Sequence, residues 1–478
     1  MAQYFVNGQF VKSASGDTNE IRNPATGEVV DTIPRAAVAE MRQAIDAAEA
    51  AFGGWADTPP AKRAEVMHKG VEAIHAKEKE LAALLSREQG KPMREAVMEI
   101  RRFAHTIEHY VGLGKAIRGG YVPLIDEGKY AIIVKLPMGV VGSIVPWNFP
   151  VSLMGNKLGP ALLCGNTVVV KPADTTPLTD VQVCAALSEA GLPPGVLNCV
   201  TGRGSVVGQE LLTNPKVRKI GFTGSTDTGK MVMRAAADTI KRVTLELGGS
   251  DPLIVCDDAD LDKAASAASA GRFFNCGQAC LAVKRVYVFA GVYDAFLERL
   301  VPKVKRLVVG DGAKQGTMIG PLHTAAQRKE IEEQVEDAKA RGAKVLAGGA
   351  RPQGAEFEGG HFYLPTLLVD APLDSRVSVE ETFGPVLPVW KVKDLDEAIA
   401  LANSSIFGLG SSIWTRDLGR ATKAAEKIQA GYTWINSNQI IYDELPFGGF
   451  KQSGFGKEHG IEALDYYMET KSVVVANP

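Results

Sequence analysis

A cysteine set among small and polar residues is the first place in this sequence where chemistry is expected. In Phe273-Phe274-Asn275-Cys276-Gly277-Gln278-Ala279-Cys280 the Gly, Asn and Gln neighbours describe a turn that leaves a thiol partly open, whereas structural cysteines usually sit among apolar residues. Two cysteines share the turn, and spacing alone does not choose between them. Upstream, Leu245-Glu246-Leu247-Gly248-Gly249 puts one carboxylate in an otherwise apolar strand end. Burying an unpaired charge is costly, so Glu246 either meets a cation in a structural ion pair or lies in a cleft with a raised pKa, fit for general-base work. Pro146-Trp147-Asn148-Phe149-Pro150 fixes a loop between prolines and offers the Asn148 amide, either as a loop brace or as a donor to a developing oxyanion. Nucleophile, base and oxyanion donor are together what acyl chemistry needs.

Two further motifs need weighing. Phe222-Thr223-Gly224-Ser225-Thr226-Asp227-Thr228-Gly229-Lys230 runs from a strand through a glycine-bounded turn into a helix, whose first N–H groups can hold a phosphate. The segment approaches a P-loop, but Met231 stands where a magnesium-binding Ser or Thr is required, which favours a dinucleotide pyrophosphate over a hydrolysed nucleotide. His105-Thr106-Ile107-Glu108-His109 has the letters of an inverted zinc-protease motif. It lies in an ordinary charged helix, so it reads as a solvated face, and no metal is expected.

The elements that must position these residues are α/β in character. Residues 37–52 and 60–89 are amphipathic helices, the second opening at Pro59-Pro60 and closing at Gly90 and Pro92. From Gly139 onward short β-branched runs alternate with Ala-rich helical stretches: Gly139–Val145, Thr167–Lys171, Val196–Val200, Lys219–Phe222 and Val243–Leu247. Such alternation predicts βαβ units and a doubly wound parallel sheet. A second series begins after Gly248-Gly249 with Pro252–Cys256, Arg285–Phe289 and Lys344–Ala347. Tyr121–Leu136 reads as a strand pair and Tyr466–Val475 as a terminal strand outside both series. At the N-terminus, Tyr4–Val11 reads as a hairpin about an Asn7-Gly8 turn.

Composition narrows the partners. With 478 residues, 45% hydrophobic and 23% charged, the chain is too long for one core. A formal net charge of -2 gives no field for nucleic acid or an anionic membrane. The six scattered cysteines predict reduced thiols and a cytoplasmic protein. The uncharged run Leu136–Asn156 imitates a membrane span, but Pro137, Pro146, Pro150 and Asn148 would leave polar groups unsatisfied in lipid.

In this order, Pro146–Pro150, Lys171-Pro172-Ala173, Phe222–Thr226, Leu245–Gly249, Phe274–Cys280, Glu381-Thr382-Phe383-Gly384-Pro385 and Pro446-Phe447-Gly448-Gly449 resemble the aldehyde dehydrogenase superfamily over essentially the whole chain. The resemblance implies a Rossmann-like cofactor domain (1–119 and 138–247), an α/β catalytic domain (248–446) and a small β oligomerisation element (120–137 and 455–478), assembled as a homodimer or homotetramer. It implies Cys280 as nucleophile, with Cys276 a neighbour without a role, Glu246 as base and Asn148 as oxyanion donor. Pro146, Trp147 and Gly224 would help to form the cofactor site. Lys171 would meet the adenine ribose, Ser225 the pyrophosphate and Glu381 the nicotinamide ribose, with Phe383 positioning the nicotinamide. The reaction implied is oxidation of an aldehyde to a carboxylate with NAD or NADP through a thioester, without a metal.

Asp174, on the loop that would face the adenine ribose, can accept hydrogen bonds from ribose hydroxyls and repel a 2′-phosphate, so NAD is preferred. Lys171 pulls the other way and leaves NADP use open. For the substrate the chain looks most like the lactaldehyde and semialdehyde branch. Asn156, however, stands where several succinate-semialdehyde members have an Arg for the substrate carboxylate. Arg285 is then a candidate receptor for a carboxylate, with a structural ion pair as the alternative. Asn156, Tyr442 and Asn438 predict some polar lining, hence a small hydroxyaldehyde or semialdehyde. Two other readings are a CoA-acylating dehydrogenase, disfavoured by the presence of Glu246, and a catalytically silent protein, disfavoured because nucleophile, base and oxyanion donor are all intact.

Overall fold

The computed structural model describes residues 3–14 and 16–476. Among them the β-branched runs form two sheets whose helices lie on both faces. The first sheet has eight strands in the order Gly454–Phe455, Arg242–Glu246, Val217–Thr223, Val140–Ile144, Thr167–Lys171, Leu197–Cys199, Tyr4–Val6, Gln9–Val11. The five strands from Arg242–Glu246 to Leu197–Cys199 run parallel. The second sheet has seven strands, Lys344–Ala347, Thr366–Val369, Val386–Val392, Val283–Phe289, Asp251–Val255, Gly410–Trp414 and Tyr432–Ile435, parallel except at the Lys344–Ala347 edge. This is the doubly wound α/β architecture, a Rossmann-like half beside a second α/β half. Interior strands of such sheets are covered on both faces, which is why Val168, Val169 and Val170 are all fully buried.

A three-stranded antiparallel sheet stands apart, with Lys129–Pro137 between Gly120–Pro123 and the terminal strand Met468–Ala476. The N-terminal hairpin pairs Tyr4 with Val11, and Asn7 and Gly8 both take positive φ, 51° and 76°, as a type I′ turn requires.

Two expectations are revised and one is met. The helix over 60–89 breaks at Lys77 into Pro60–Ala76 and Glu78–Gln89. The expectation for the apolar run Leu136–Asn156, read from its prolines as buried strand and loop, is met: it divides into a strand end, the strand Val140–Ile144, a loop and part of the buried helix Pro150–Leu163. No described helix is long and apolar enough to cross a membrane. Finally, Gly454–Phe455 joins the first sheet antiparallel to Arg242–Glu246, with Leu247 N–H donating to the Ser453 carbonyl at 2.9 Å. A Cβ on Gly454 would meet the Leu245 carbonyl at 2.5 Å, so only glycine permits this approach.

Candidate active site

The site forms where strands of both sheets end. Thr223 and Glu246 are register partners, and the Gly224 N–H donates to the Glu246 carbonyl at 3.0 Å. The same sheet edge therefore delivers the carboxylate and, two residues on from Gly224, the start of the helix Thr226–Ala237. Ser225 caps that helix and is exposed, leaving its first N–H groups open to an anion. Gly229, part of the apparent P-loop, is a packing residue: its Cβ would meet Leu247 at 2.4 Å.

The cysteine turn is held in an unusual conformation. Asn275, Cys276 and Gly277 take φ of 49°, 56° and 73° in succession. Left-handed backbone costs a non-glycine residue roughly 1–2 kcal/mol, so neighbours must hold it. The Asn275 N–H donates to Glu95 at 2.9 Å, its amide donates to the Asn148 carbonyl at 2.9 Å, and Gln278 N–H closes the turn on the Asn275 carbonyl at 3.0 Å. A Cβ at Gly277 would meet the Gly384 carbonyl at 2.4 Å, which seats the turn against the Glu381–Pro385 segment. The turn separates the two cysteines. Cys276 is buried against Arg272, whereas Cys280 is partly exposed. Burial pushes the Cys280 thiol up to about 12, Lys284 opposing and Glu246 adding to the rise.

Asn148 is buried and donates through Nδ2 to the Gln278 carbonyl at 3.0 Å, beside Cys280. An amide nitrogen carries a second hydrogen, which remains for a substrate oxygen. Lys91 braces the loop, donating to the Asn148 carbonyl at 2.8 Å and to Glu99 while lying over the Phe149 ring. Glu99 also caps the Pro150–Leu163 helix at Val151, 3.0 Å. Trp147 stacks on His323 at 4.8 Å and meets Phe383 edge-on at 5.7 Å; burial lowers His323 to about 4, so this partner is neutral.

Glu246 is 3% exposed, and neither of its carboxylate oxygens has a hydrogen-bond partner among the described residues. Burial holds its pKa well above the usual carboxylate range, Glu458 raising it further and Lys157 and Lys457 opposing. Glu458 itself is tied down by Asn156 at 3.0 Å and Lys157 at 2.8 Å, and Lys157 also reaches the Thr223 hydroxyl at 2.6 Å. A Cβ at Gly448 would lie 2.7 Å from Glu246 Oε1, which explains the glycine after Phe447.

Lys284 joins the two loops. Its ammonium donates to the Cys280 carbonyl at 2.6 Å and to Glu381 at 3.0 Å, and Glu381 also accepts from Gly249 N–H at 2.9 Å. Lys171 is paired with Asp174 at 2.8 Å. The two were expected to act on a ribose separately and in opposition; in the structure they form one ion pair. Together the open helix N-terminus at Ser225, the Lys171 cation and the Glu381 carboxylate fit a nicotinamide dinucleotide. A Cβ at Gly248 would come 2.5 Å from Glu381 Oε2, so that glycine keeps the carboxylate's place clear.

Other expected residues lie elsewhere. Arg285 is 3% exposed and its guanidinium is committed to the carbonyls of Ser250, Leu401 and Ala402, so it is not free to receive a substrate. The reason is strand alternation: Lys284 faces the nucleophile and Arg285 therefore points to the opposite face. The Asn156 amide donates to Glu458, Tyr442 is exposed, and Asn438 lines a surface groove with Trp414 and Lys263. His105 is not merely on a solvated face, because its ring binds the buried Asp443 at 2.6 Å. The sequence reading missed Lys91, Glu95, Glu99, Lys157, Lys284 and Glu458. Lys157 and Lys284 carried the signal that marked Glu246, a charge inside an apolar helix or strand; Lys91 and Glu458 lie in loops and Glu95 and Glu99 in a charged helix, where nothing local marks a buried charge.

Comparison with known proteins adds to this geometry. The profile described as "Aldehyde dehydrogenase family" matches residues 10–473. Glutarate-semialdehyde dehydrogenase of Pseudomonas putida (strain KT2440) is 42% identical over 474 residues, 99% of this chain and 98% of the relative. The NADP(+) succinate-semialdehyde dehydrogenase GabD of Escherichia coli (strain K12) is 41% identical over 473 residues, 99% of this chain and 97% of the relative. The crystal structure of betaine aldehyde dehydrogenase from Staphylococcus aureus in complex with NAD+ is 34% identical, with a TM-score of 0.97 over 100% of this chain and 95% of that one.

Proposed function

The chain belongs to the aldehyde dehydrogenase family, and from that premise we propose that it oxidises a small semialdehyde or hydroxyaldehyde to the acid through a thioester on Cys280, hydrolysed with Glu246 as base. The observation that carries this reading is the buried Glu246 carboxyl, without a hydrogen-bond partner among the described residues, whose charge bears on Cys280.

The steps follow from the residues. Cys280 loses its proton to solvent water and its sulfur attacks the aldehyde carbon as the carbonyl π bond breaks, giving a hemithioacetal whose oxyanion takes the remaining Asn148 N–H and the Cys280 backbone N–H. A nicotinamide dinucleotide, held by the helix N-terminus at Ser225 with Lys171 and Glu381, would supply the hydride acceptor for oxidation to the thioester. Glu246 then takes a proton from water, and hydroxide attacks the thioester carbon and expels the Cys280 thiolate. A carboxyl raised by burial can hold that proton and release it as the product leaves. Lys284 fixes Glu381 relative to the nucleophile turn, so cofactor site and thiol keep one spacing.

The family uses NAD(P), and for this chain we assign a preference for NAD with NADP tolerated. Asp174 lies beside Lys171 and opposes a further negative charge, while the ion pair can open to a 2′-phosphate. Assembly as a homodimer or homotetramer is assigned to the three-stranded sheet, where Tyr121, Ile132 and Val474 are exposed apolar residues. A panel of aldehydes with NAD or NADP, with and without CoA, tests the function. Acid formation without CoA supports it, and acyl-CoA as the sole product overturns it.

A further inference from the structure

The cysteine turn and the Asn148 loop belong to different sheets: the loop follows the strand Val140–Ile144 of the first, and the turn precedes the strand Val283–Phe289 of the second. Their spacing decides whether an oxygen formed beside Cys280 meets the Asn148 amide. A third residue, outside both segments, touches each of them. His323 is buried in the loop before the helix Ala325–Ala340. Its backbone N–H donates to Gln278 Oε1 at 2.8 Å, and Gln278 Nε2 donates in turn to the Asn275 carbonyl at 3.0 Å, the acceptor that closes the cysteine turn. Its ring lies on the indole of Trp147, the residue before Asn148, with centroids 4.8 Å apart and planes 9° from parallel.

The other side-chain contact fixes the plane of that ring. His323 Nδ1 lies 3.1 Å from the Gln89 carbonyl. A carbonyl only accepts, so the proton is assigned to Nδ1, and Nε2, buried and without a partner among the described residues, is bare. The anchor belongs to the same brace as the loop. Gln89 Oε1 accepts from the Lys91 N–H at 2.9 Å, and the Lys91 ammonium donates to the Asn148 carbonyl at 2.8 Å. On its edge Trp147 meets Phe383 at 5.7 Å. The indole is therefore bounded by Phe383 at one edge and by His323 across one face.

We propose that His323 is a positioning residue: clamping Trp147 with its ring and Gln278 with its backbone N–H, it holds the Asn148 amide at the place beside Cys280 that oxyanion stabilisation requires. The proposal rests on the thioester chemistry proposed above and adds to it a residue that acts through Asn148 and not on the reacting atoms.

Substitution separates the two side-chain contacts and leaves the backbone N–H in place. His323→Phe keeps a ring for the stack and removes the Nδ1 donor. His323→Asn keeps an N–H on the same carbon, Cγ, and removes the stack; His323→Ala removes both. A displaced Asn148 amide fails a charge that exists only after attack, so the loss belongs in kcat, with the aldehyde KM nearly unmoved. His323→Ala should lose roughly ten- to hundredfold in kcat, as misplacement of a reacting group by about 1 Å does. Phe should recover most of that loss and Asn little.

A double-mutant cycle separates positioning from mere structure. Adding His323→Ala to Asn148→Ala should cost almost nothing beyond Asn148→Ala alone, because the one acts through the other. The stack is read without turnover: His323→Ala should shift the tryptophan emission, and the shift should vanish in a Trp147→Phe background. If His323→Ala does not fold, the Phe and Asn variants carry the same comparison. A folded variant without the stack that keeps the wild-type kcat, additive losses in the cycle, or an emission shift that persists without Trp147 overturns the proposal. A wild type that oxidises no aldehyde overturns the function beneath it instead, with the emission shift still expected.

Discussion

Thr223 and Glu246 stand opposite each other in adjacent parallel strands, so the Ser225-capped helix and the Glu246 carboxyl leave one sheet edge together. Neither can shift along its strand without moving the other, because a change of register displaces a whole strand. The helix start and the carboxyl are thereby set at one distance by backbone hydrogen bonds.

The nucleophile is tested by its neighbour. Cys280→Ala should abolish aldehyde oxidation and leave dinucleotide binding intact, while Cys276→Ala, at a buried position, should keep substantial activity. With the Cys280 thiol pushed up to about 12, its alkylation by iodoacetamide in the free enzyme should be slow at neutral pH and still rising above about pH 9, since the thiolate is the reactive form. An alkylation plateau near neutrality would contradict the buried, thiol-favouring site.

Glu246→Gln should slow thioester hydrolysis more than its formation. Rapid mixing would then give a burst of reduced cofactor followed by slow turnover. Because the Glu246 pKa is raised, the base form is scarce in acid and the wild-type hydrolysis rate should climb as pH rises. That rising limb should be missing in the Gln variant. A burst-free loss in the first step would move Glu246 to activation of the thiol.

The NAD preference proposed above turns on the Lys171–Asp174 pair. Asp174→Ser frees the Lys171 ammonium, and a charge contact at such a partly exposed position is worth about 1 kcal/mol. The NADP to NAD ratio of kcat/KM should rise roughly three- to tenfold. An unchanged ratio, or a wild type already favouring NADP, would show that Asp174 does not govern the choice.

Arg285→Met should behave as a stability variant. It strips donors from the buried carbonyls of Ser250, Leu401 and Ala402, and unsatisfied buried acceptors cost about 1–3 kcal/mol each before relaxation. Thermal unfolding should fall by several degrees with KM for semialdehydes unchanged. A raised KM at unchanged stability would return Arg285 to the substrate site.

The alternation of β-branched strands with Ala-rich helices made both parallel sheets legible from the sequence, because interior strands must be apolar on both faces. The ordered motifs pointed to the same loops that the structure gathers at the strand ends. Hidden were partnerships between residues far apart in sequence. Nothing local tells that Glu95 holds Asn275, that Lys284 rather than Arg285 faces Cys280, or that His105 answers to Asp443. Each depends on which face of a helix or strand turns inward, and a one-residue difference reverses the answer.

The short strand Gly454–Phe455 pairs with Arg242–Glu246, and Gly448 lies against the Glu246 carboxyl. On a ribosome this means that the cofactor half can be synthesised, and can begin to fold, long before the wall of its own base exists. The emerging chain would carry the parallel strands and the cysteine turn without the enclosure around Glu246. Activity should therefore be acquired late in synthesis, and truncation just before residue 446 should yield protein without thioester hydrolysis.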